Sequence, residues 1–158
     1  MELIASFTID HMKLLPGVYV SRKDNVNGNI LTTFDIRMTR PNFEPVMNTA
    51  EMHTIEHLAA TYLRNDENWG EKIVYFGPMG CQTGFYLLVR NNQSPKAVFE
   101  MTKQVLQQTI DHEGPVFGAS AAECGHYENL SLEAARIEAK KYLDALKEQT
   151  NMEFNYPQ

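Results

Sequence analysis

Apolar and polar positions along the chain fall into two rhythms. Val18 to Val20, Ile30 to Met38, Ile73 to Phe76 and Gly84 to Val89 are short runs rich in β-branched and aromatic residues, which predict four strands. Asn27-Gly28-Asn29 places turn chemistry between the first two and predicts a hairpin.

Elsewhere the apolar residues recur every three or four positions. Ser94-Pro95 offers a cap and a proline at the first helical position, Val98, Met101, Val105 and Thr109 follow on one stripe, and Gly114-Pro115 supplies a stop. Ser131 opens a second helix to about Glu148, with Leu132, Ala135, Ala139, Tyr142 and Leu146 in phase. A third begins near Asn48, with Glu51 placed to reach back to the cap. It runs to about Arg64 with Met52, Ile55, Leu58, Ala59 and Tyr62 on its apolar side. Antiparallel strands with partly interleaved helices predict an α+β two-layer sandwich, a sheet of about four strands packed against helices.

Composition narrows the function classes. At 158 residues, with 43% hydrophobic and 22% charged and no repeat or linker, residues 1–158 read as a single globular domain. A formal charge of -6 leaves no electrostatic footprint for a phosphate backbone or an anionic membrane, so neither nucleic acid nor membrane is expected as a partner. The opening Met1-Glu2-Leu3-Ile4-Ala5 has no basic region followed by a long apolar one, and no later stretch approaches the roughly 20 apolar residues of a membrane span. A cytoplasmic protein is expected. Cys81 and Cys124 are then two free thiols, each requiring its own explanation.

The third helix carries His53-Thr54-Ile55-Glu56-His57. Residues four apart lie one above the other on a helix, so both imidazoles can face one ion with Glu56 beside them. Two surface histidines with a solvating glutamate are the plain alternative. A catalytic ion takes three protein ligands and keeps a fourth position open, so another donor must come from elsewhere. Cys124, in Glu123-Cys124-Gly125-His126, is one candidate, with His126 and Glu123 as competitors; a buried small hydrophobe is the ordinary fate of such a cysteine. Cys81 lies in Gly77-Pro78-Met79-Gly80-Cys81-Gln82-Thr83-Gly84, a loop suited to presenting a side chain at a sheet rim, although packing at a strand start is the simpler reading. To work as a base at neutral pH a thiol needs a cation close by, and Arg37 or the ion is the candidate.

Taken together, these motifs resemble the S-ribosylhomocysteine lyase family, which makes the precursor of the autoinducer-2 signal. The resemblance runs in order through Ser6-Phe7-x-x-Asp10-His11, Phe34-Asp35-Ile36-Arg37 with Pro41-Asn42, His53-Thr54-x-Glu56-His57-Leu58, Pro78-Met79-Gly80-Cys81-Gln82-Thr83-Gly84 and Cys124-Gly125. It implies an α+β homodimer with active sites at the subunit interface, acting on S-ribosylhomocysteine to give homocysteine and 4,5-dihydroxy-2,3-pentanedione. His53, His57 and Cys124 match the ligands of one divalent ion per subunit, Fe2+ in the cell with Zn2+ or Co2+ as replacements. Cys81 and Glu56 match the acid/base residues, Arg37 the cation beside the reactive thiol and a substrate contact, and Ser6 and His11 further substrate contacts. Moving a carbonyl along the sugar and then eliminating the thioether needs a Lewis acid and two proton carriers, which this residue set can supply.

Some positions depart from the family pattern. Tyr75 stands where many members carry an acidic residue, Gly77 precedes Pro78, Met38-Thr39 replaces Phe-Cys, and Leu130 replaces a frequent histidine. None of these is a ligand or a proton carrier. Two other readings fit the helix motif: an inverted-zincin-type metallopeptidase, which expects an acidic third ligand and gives Cys81 no task, and a closed structural metal site completed by His126 or Glu123.

Overall fold

A computed structural model describes residues 1–158. Four strands, β1 (Gly17–Val26), β2 (Asn29–Arg37), β3 (Ile73–Pro78) and β4 (Gly84–Arg90), form one antiparallel sheet in the order β1-β2-β4-β3. Three helices, α1 (Thr49–Asn65), α2 (Pro95–Asp111) and α3 (Leu132–Glu148), cover one face and complete the expected two-layer α+β sandwich.

The hairpin forms where the turn chemistry placed it. Asn27 and Gly28 both take positive φ, 51° and 85°, the combination that suits a tight turn between twisted strands. β1 runs six residues past the predicted Val20. Its second half, Ser21 to Val26, is too polar to read as a strand, because an edge strand needs an apolar partner on one face only. Asn48 caps α1 with the reciprocal pattern expected: its side chain accepts from the Glu51 N–H at 2.8 Å, and the Glu51 carboxylate accepts from the Asn48 N–H at 2.7 Å. Such a cap contributes about 1 kcal/mol and fixes where the first helical turn begins. α2 ends at Asp111, with buried His112 after it, three residues before the Gly114-Pro115 stop.

The core lies between sheet and helices. Val18, Phe34, Ile36, Phe85, Leu87 and Val89 from the strands meet Met52, Ile55, Ala59 and Leu63 of α1, Val98, Met101 and Val105 of α2, and Ala135, Ala139, Tyr142 and Leu146 of α3. Each fully buried large side chain contributes roughly 1.5–3 kcal/mol, so α1 is pinned along one face and the positions beside that face are held at a fixed rotation. Tyr62, placed on the apolar side by its spacing, is only half-buried and donates its hydroxyl to His112 Nδ1 at 2.6 Å.

The opposite face of the sheet is polar yet covered. Tyr19, Asp35 and Tyr86 stand side by side on β1, β2 and β4, and Asp35 and Arg37 are 0% and 2% exposed. The C-terminal residues close this face: the Val20 N–H donates to the Phe154 carbonyl at 2.8 Å, and Tyr156 stacks on Tyr19 with ring centroids 5.4 Å apart. No helix is long and apolar enough to cross a membrane.

Candidate metal centre

His53, Glu56 and His57 lie on α1 beside its buried stripe, each half-buried. The two imidazoles converge, with ring centroids 4.5 Å apart and planes at 88°. Cys124 reaches them from the segment between α2 and α3, with its Sγ 3.3 Å from His53 Nε2, and the donor atoms of the three residues all lie within 4.8 Å of one another. A tetrahedral ion bound at ordinary Zn–S and Zn–N distances spaces sulfur and nitrogen by about 3.5 Å, so the His53–Cys124 separation suits a shared ion.

The surroundings set the tautomer of both histidines. His53 Nδ1 lies 2.5 Å from Asn129 Oδ1, and His57 Nδ1 lies 2.7 Å from the Phe117 carbonyl oxygen. An oxygen acceptor requires the hydrogen on Nδ1, which leaves both Nε2 lone pairs free to bind a cation. Phe117 is held in turn by edge-on contacts to Tyr62 and His112, at centroid distances of 5.3 and 4.9 Å. His112 donates from Nε2 to the Pro115 carbonyl at 2.9 Å. This chain of contacts fixes the carbonyl that orients His57. None of it is legible in the sequence: a backbone oxygen carries no residue signature, and Asn129 looks like any loop asparagine.

The competing donors turn elsewhere. Glu123 accepts from Ser120 Oγ at 2.6 Å, and His126 is exposed and uses its backbone N–H toward Cys124 Sγ at 3.4 Å. The Cys124 N–H donates to the Ser120 carbonyl at 3.0 Å, a local turn that points the thiol inward. The third donor is thus a sulfur rather than the carboxylate that the peptidase reading expects, and neither candidate for a closed fourth position joins the cluster.

A second cluster forms around Arg37 on the covered polar face. Asp35 accepts from Arg37 Nε at 3.0 Å and Nη2 at 2.6 Å, a bidentate pair. Arg37 Nη1 donates to Thr83 Oγ1 at 2.6 Å and faces Cys81 Sγ at 3.8 Å, while Thr83 Oγ1 lies 3.1 Å from the same sulfur. Burial works against the Arg37 charge, but Asp35, with smaller help from Cys81 and Tyr156, offsets it and holds the guanidinium above its usual pKa. Cys81 itself is exposed, at the tip of a loop closed by Gln82 N–H to Met79 carbonyl and Met79 N–H to Gly84 carbonyl hydrogen bonds, 3.0 and 2.9 Å long. Gly84 is required there, since a Cβ would collide with the Ile36 carbonyl oxygen.

The remaining predicted residues, Ser6 and His11, make no hydrogen bond to either cluster. Ser6 lines a hollow of about 360 Å³ with Ser21, Arg22, Tyr75 and Tyr86, and His11 Nδ1 is 3.0 Å from the Ile9 carbonyl of its own turn. The largest hollow, about 780 Å³ between Tyr19, Tyr156 and the end of α3, contains none of the predicted site residues.

A two-layer α+β domain presenting two imidazoles and a thiol within reach of one another defines a protein with a cluster suited to one divalent ion. Residues 4–153 match the model of the S-ribosylhomocysteinase (LuxS) family. An S-ribosylhomocysteine lyase of Clostridium beijerinckii is 53% identical over 158 residues, covering 99% of each chain. Those of Clostridium acetobutylicum and Borreliella afzelii are 50% and 48% identical, over 100% and 99% of this chain and the whole length of each relative. The chain belongs to the S-ribosylhomocysteinase family of lyases.

Proposed function

We propose that the chain is a metal-dependent lyase that converts S-ribosylhomocysteine to homocysteine and 4,5-dihydroxy-2,3-pentanedione, acting as one catalytic domain in the cytoplasm. The convergence of His53, His57 and Cys124 in a member of this family carries the reading. These three residues hold one divalent ion, Fe2+ in the cell with Zn2+ or Co2+ as substitutes. When bound, the ion supplies Lewis acidity toward a carbonyl oxygen, worth several kcal/mol to a developing negative charge.

The chain's own residues do the rest. Cys81 takes a proton from one sugar carbon and returns it to the neighbouring carbon, which moves the carbonyl from C1 to C2 and then to C3. Arg37 and Thr83, both within reach of the sulfur, stabilise its charged form between transfers. Glu56, on the same helix as the two histidines, shuttles protons and assists the last step. There a proton is lost beside the C3 carbonyl and the carbon–sulfur bond breaks. The sulfur departs with the bonding pair and is protonated to homocysteine. Ser6 and His11 bind substrate hydroxyls.

The active unit is a homodimer whose interface takes in both clusters. Support comes from the exposed apolar side chains of the N-terminal segment that carries Ser6 and His11: Leu3, Ile4, Phe7, Met12 and Leu15 are all more than half exposed in the single chain.

Thiol release from S-ribosylhomocysteine, followed with a thiol reagent on anaerobically prepared protein, is the test. Turnover with iron, cobalt or zinc is expected, and its absence with all three removes the assignment.

A further inference from the structure

Tyr156 lies only two residues from the C-terminus, yet its hydroxyl donates to Asp35 Oδ2 at 2.8 Å. Asp35 is completely buried, and Oδ2 is the same oxygen that accepts from Arg37 Nη2 at 2.6 Å. The phenol is held there by the stack on Tyr19 and by the docking of Phe154 against Phe99 and the edge of β1. Burial and the neighbouring Asp35 charge keep it protonated far above neutral pH, so it is a permanent donor.

We infer that Tyr156 is a positioning residue for Cys81, acting through Asp35 and Arg37. A buried carboxylate satisfies its lone pairs from whatever donors are in reach. With the phenol in place, Asp35 needs only Nε and Nη2 of Arg37, and Nη1 stays free to point at Thr83 and the Cys81 sulfur. Without it, Asp35 draws the guanidinium toward itself and the sulfur loses its facing cation. The titratable and charged groups around this cluster are Arg37 and Asp35 from β2, Cys81 from the β3–β4 loop, Tyr86 from β4, Tyr19 from β1, Tyr142 from α3 and Tyr156 from the tail. Of the two that come from outside the sheet and its loops, Tyr142 donates to the Gly17 carbonyl and only Tyr156 donates to Asp35.

The inference rests on the proposed role of Cys81, but its test does not need turnover. Metal-loaded protein is treated with iodoacetamide across pH, and alkylation of Cys81 is followed by mass spectrometry of its peptide. In Tyr156→Phe the rate at pH 7 is expected to fall about threefold or more and to recover at high pH, with kcat lowered and KM unchanged. Tyr19→Phe, whose lost hydroxyl donates to the Leu15 carbonyl instead, is expected to react like the parent. A chain ending at Asn155 lacks the same donor and serves if Tyr156→Phe does not fold. Parent-like alkylation in the Tyr156 variants, with or without a lowered Tm, overturns the inference. Slowed alkylation in a protein that does not cleave S-ribosylhomocysteine instead removes the lyase reading and leaves the inference standing.

Discussion

The side-chain oxygen of Asn129 stands 2.5 Å from Nδ1 of His53, so a residue outside the cysteine-bearing turn decides which nitrogen of a helix histidine is left with a free lone pair toward Cys124. Groups that orient a ligand in this way are worth about 10–100-fold in metal affinity. Asn129→Ala is expected to weaken binding by that order in competition with a chelator, with unchanged far-ultraviolet circular dichroism. Parent-like affinity would show that His53 is oriented by helix packing alone.

The two thiols are expected to separate cleanly. Cys124→Ala removes one of three donors and loses both bound metal and homocysteine release. Cys81→Ala leaves the donor set intact, so it keeps its metal and loses only the release. Metal content by elemental analysis beside the thiol assay distinguishes them. A metal-free Cys81→Ala protein would mean that the second sulfur belongs to the centre.

Asp35→Ala leaves the Arg37 charge buried without its partner, since both side chains are nearly inaccessible. Removing one member of such a pair costs about 3–5 kcal/mol. Urea unfolding should show a lower midpoint with a similar slope. A loss below about 1 kcal/mol would mean that water reaches the guanidinium.

Glu138, half-buried on α3, has a carboxyl held above its usual 4.5. Burial is the largest cause, Lys141 works against the shift, and Glu51 and Glu44 add to it. The folded state therefore keeps a proton that the unfolded chain gives up. Stability from this group is fully present below the ordinary carboxylate pKa and is lost as pH rises through the folded value. Glu138→Gln is expected to be more stable than the parent at pH 7, and the advantage should disappear by pH 4. An equal advantage at both values would point to packing rather than charge.

What could be read from the chain follows from how local each signal is. The start of α1 rests on Asn48 and Glu51, three residues apart, and the hairpin on Asn27-Gly28, so both were legible. The β2–β4 pairing joins strands more than forty residues apart and has no local signature. The donor pair on α1 was visible because helical geometry converts a spacing of four into proximity. The choice among Glu123, Cys124 and His126 was not, because it depends on a turn closed by the Ser120 carbonyl. Arg37 beside Cys81 was an expectation of type and resemblance; the Asp35–Tyr156 support behind it depends on where a tail lands, which no periodicity encodes.

The segment from His112 to Ser131 has no regular structure beyond one short turn at Tyr127–Asn129, and its ties to α1 are few. They include the Tyr62 hydroxyl to His112, the Phe117 ring against Tyr62, the Phe117 carbonyl to His57, Asn129 to His53, Cys124 beside both imidazoles, and the Ser131 N–H to Thr54 Oγ1 at 2.8 Å. Those at the Phe117 carbonyl, Cys124 and Asn129 converge on the two imidazoles, between the ties at His112 and Ser131 that hold the two ends. Whatever cation settles there rivets the middle of the segment to the helix, and a chelator that strips it loosens the stretch between Phe117 and Asn129 for any protease in the vicinity to cut.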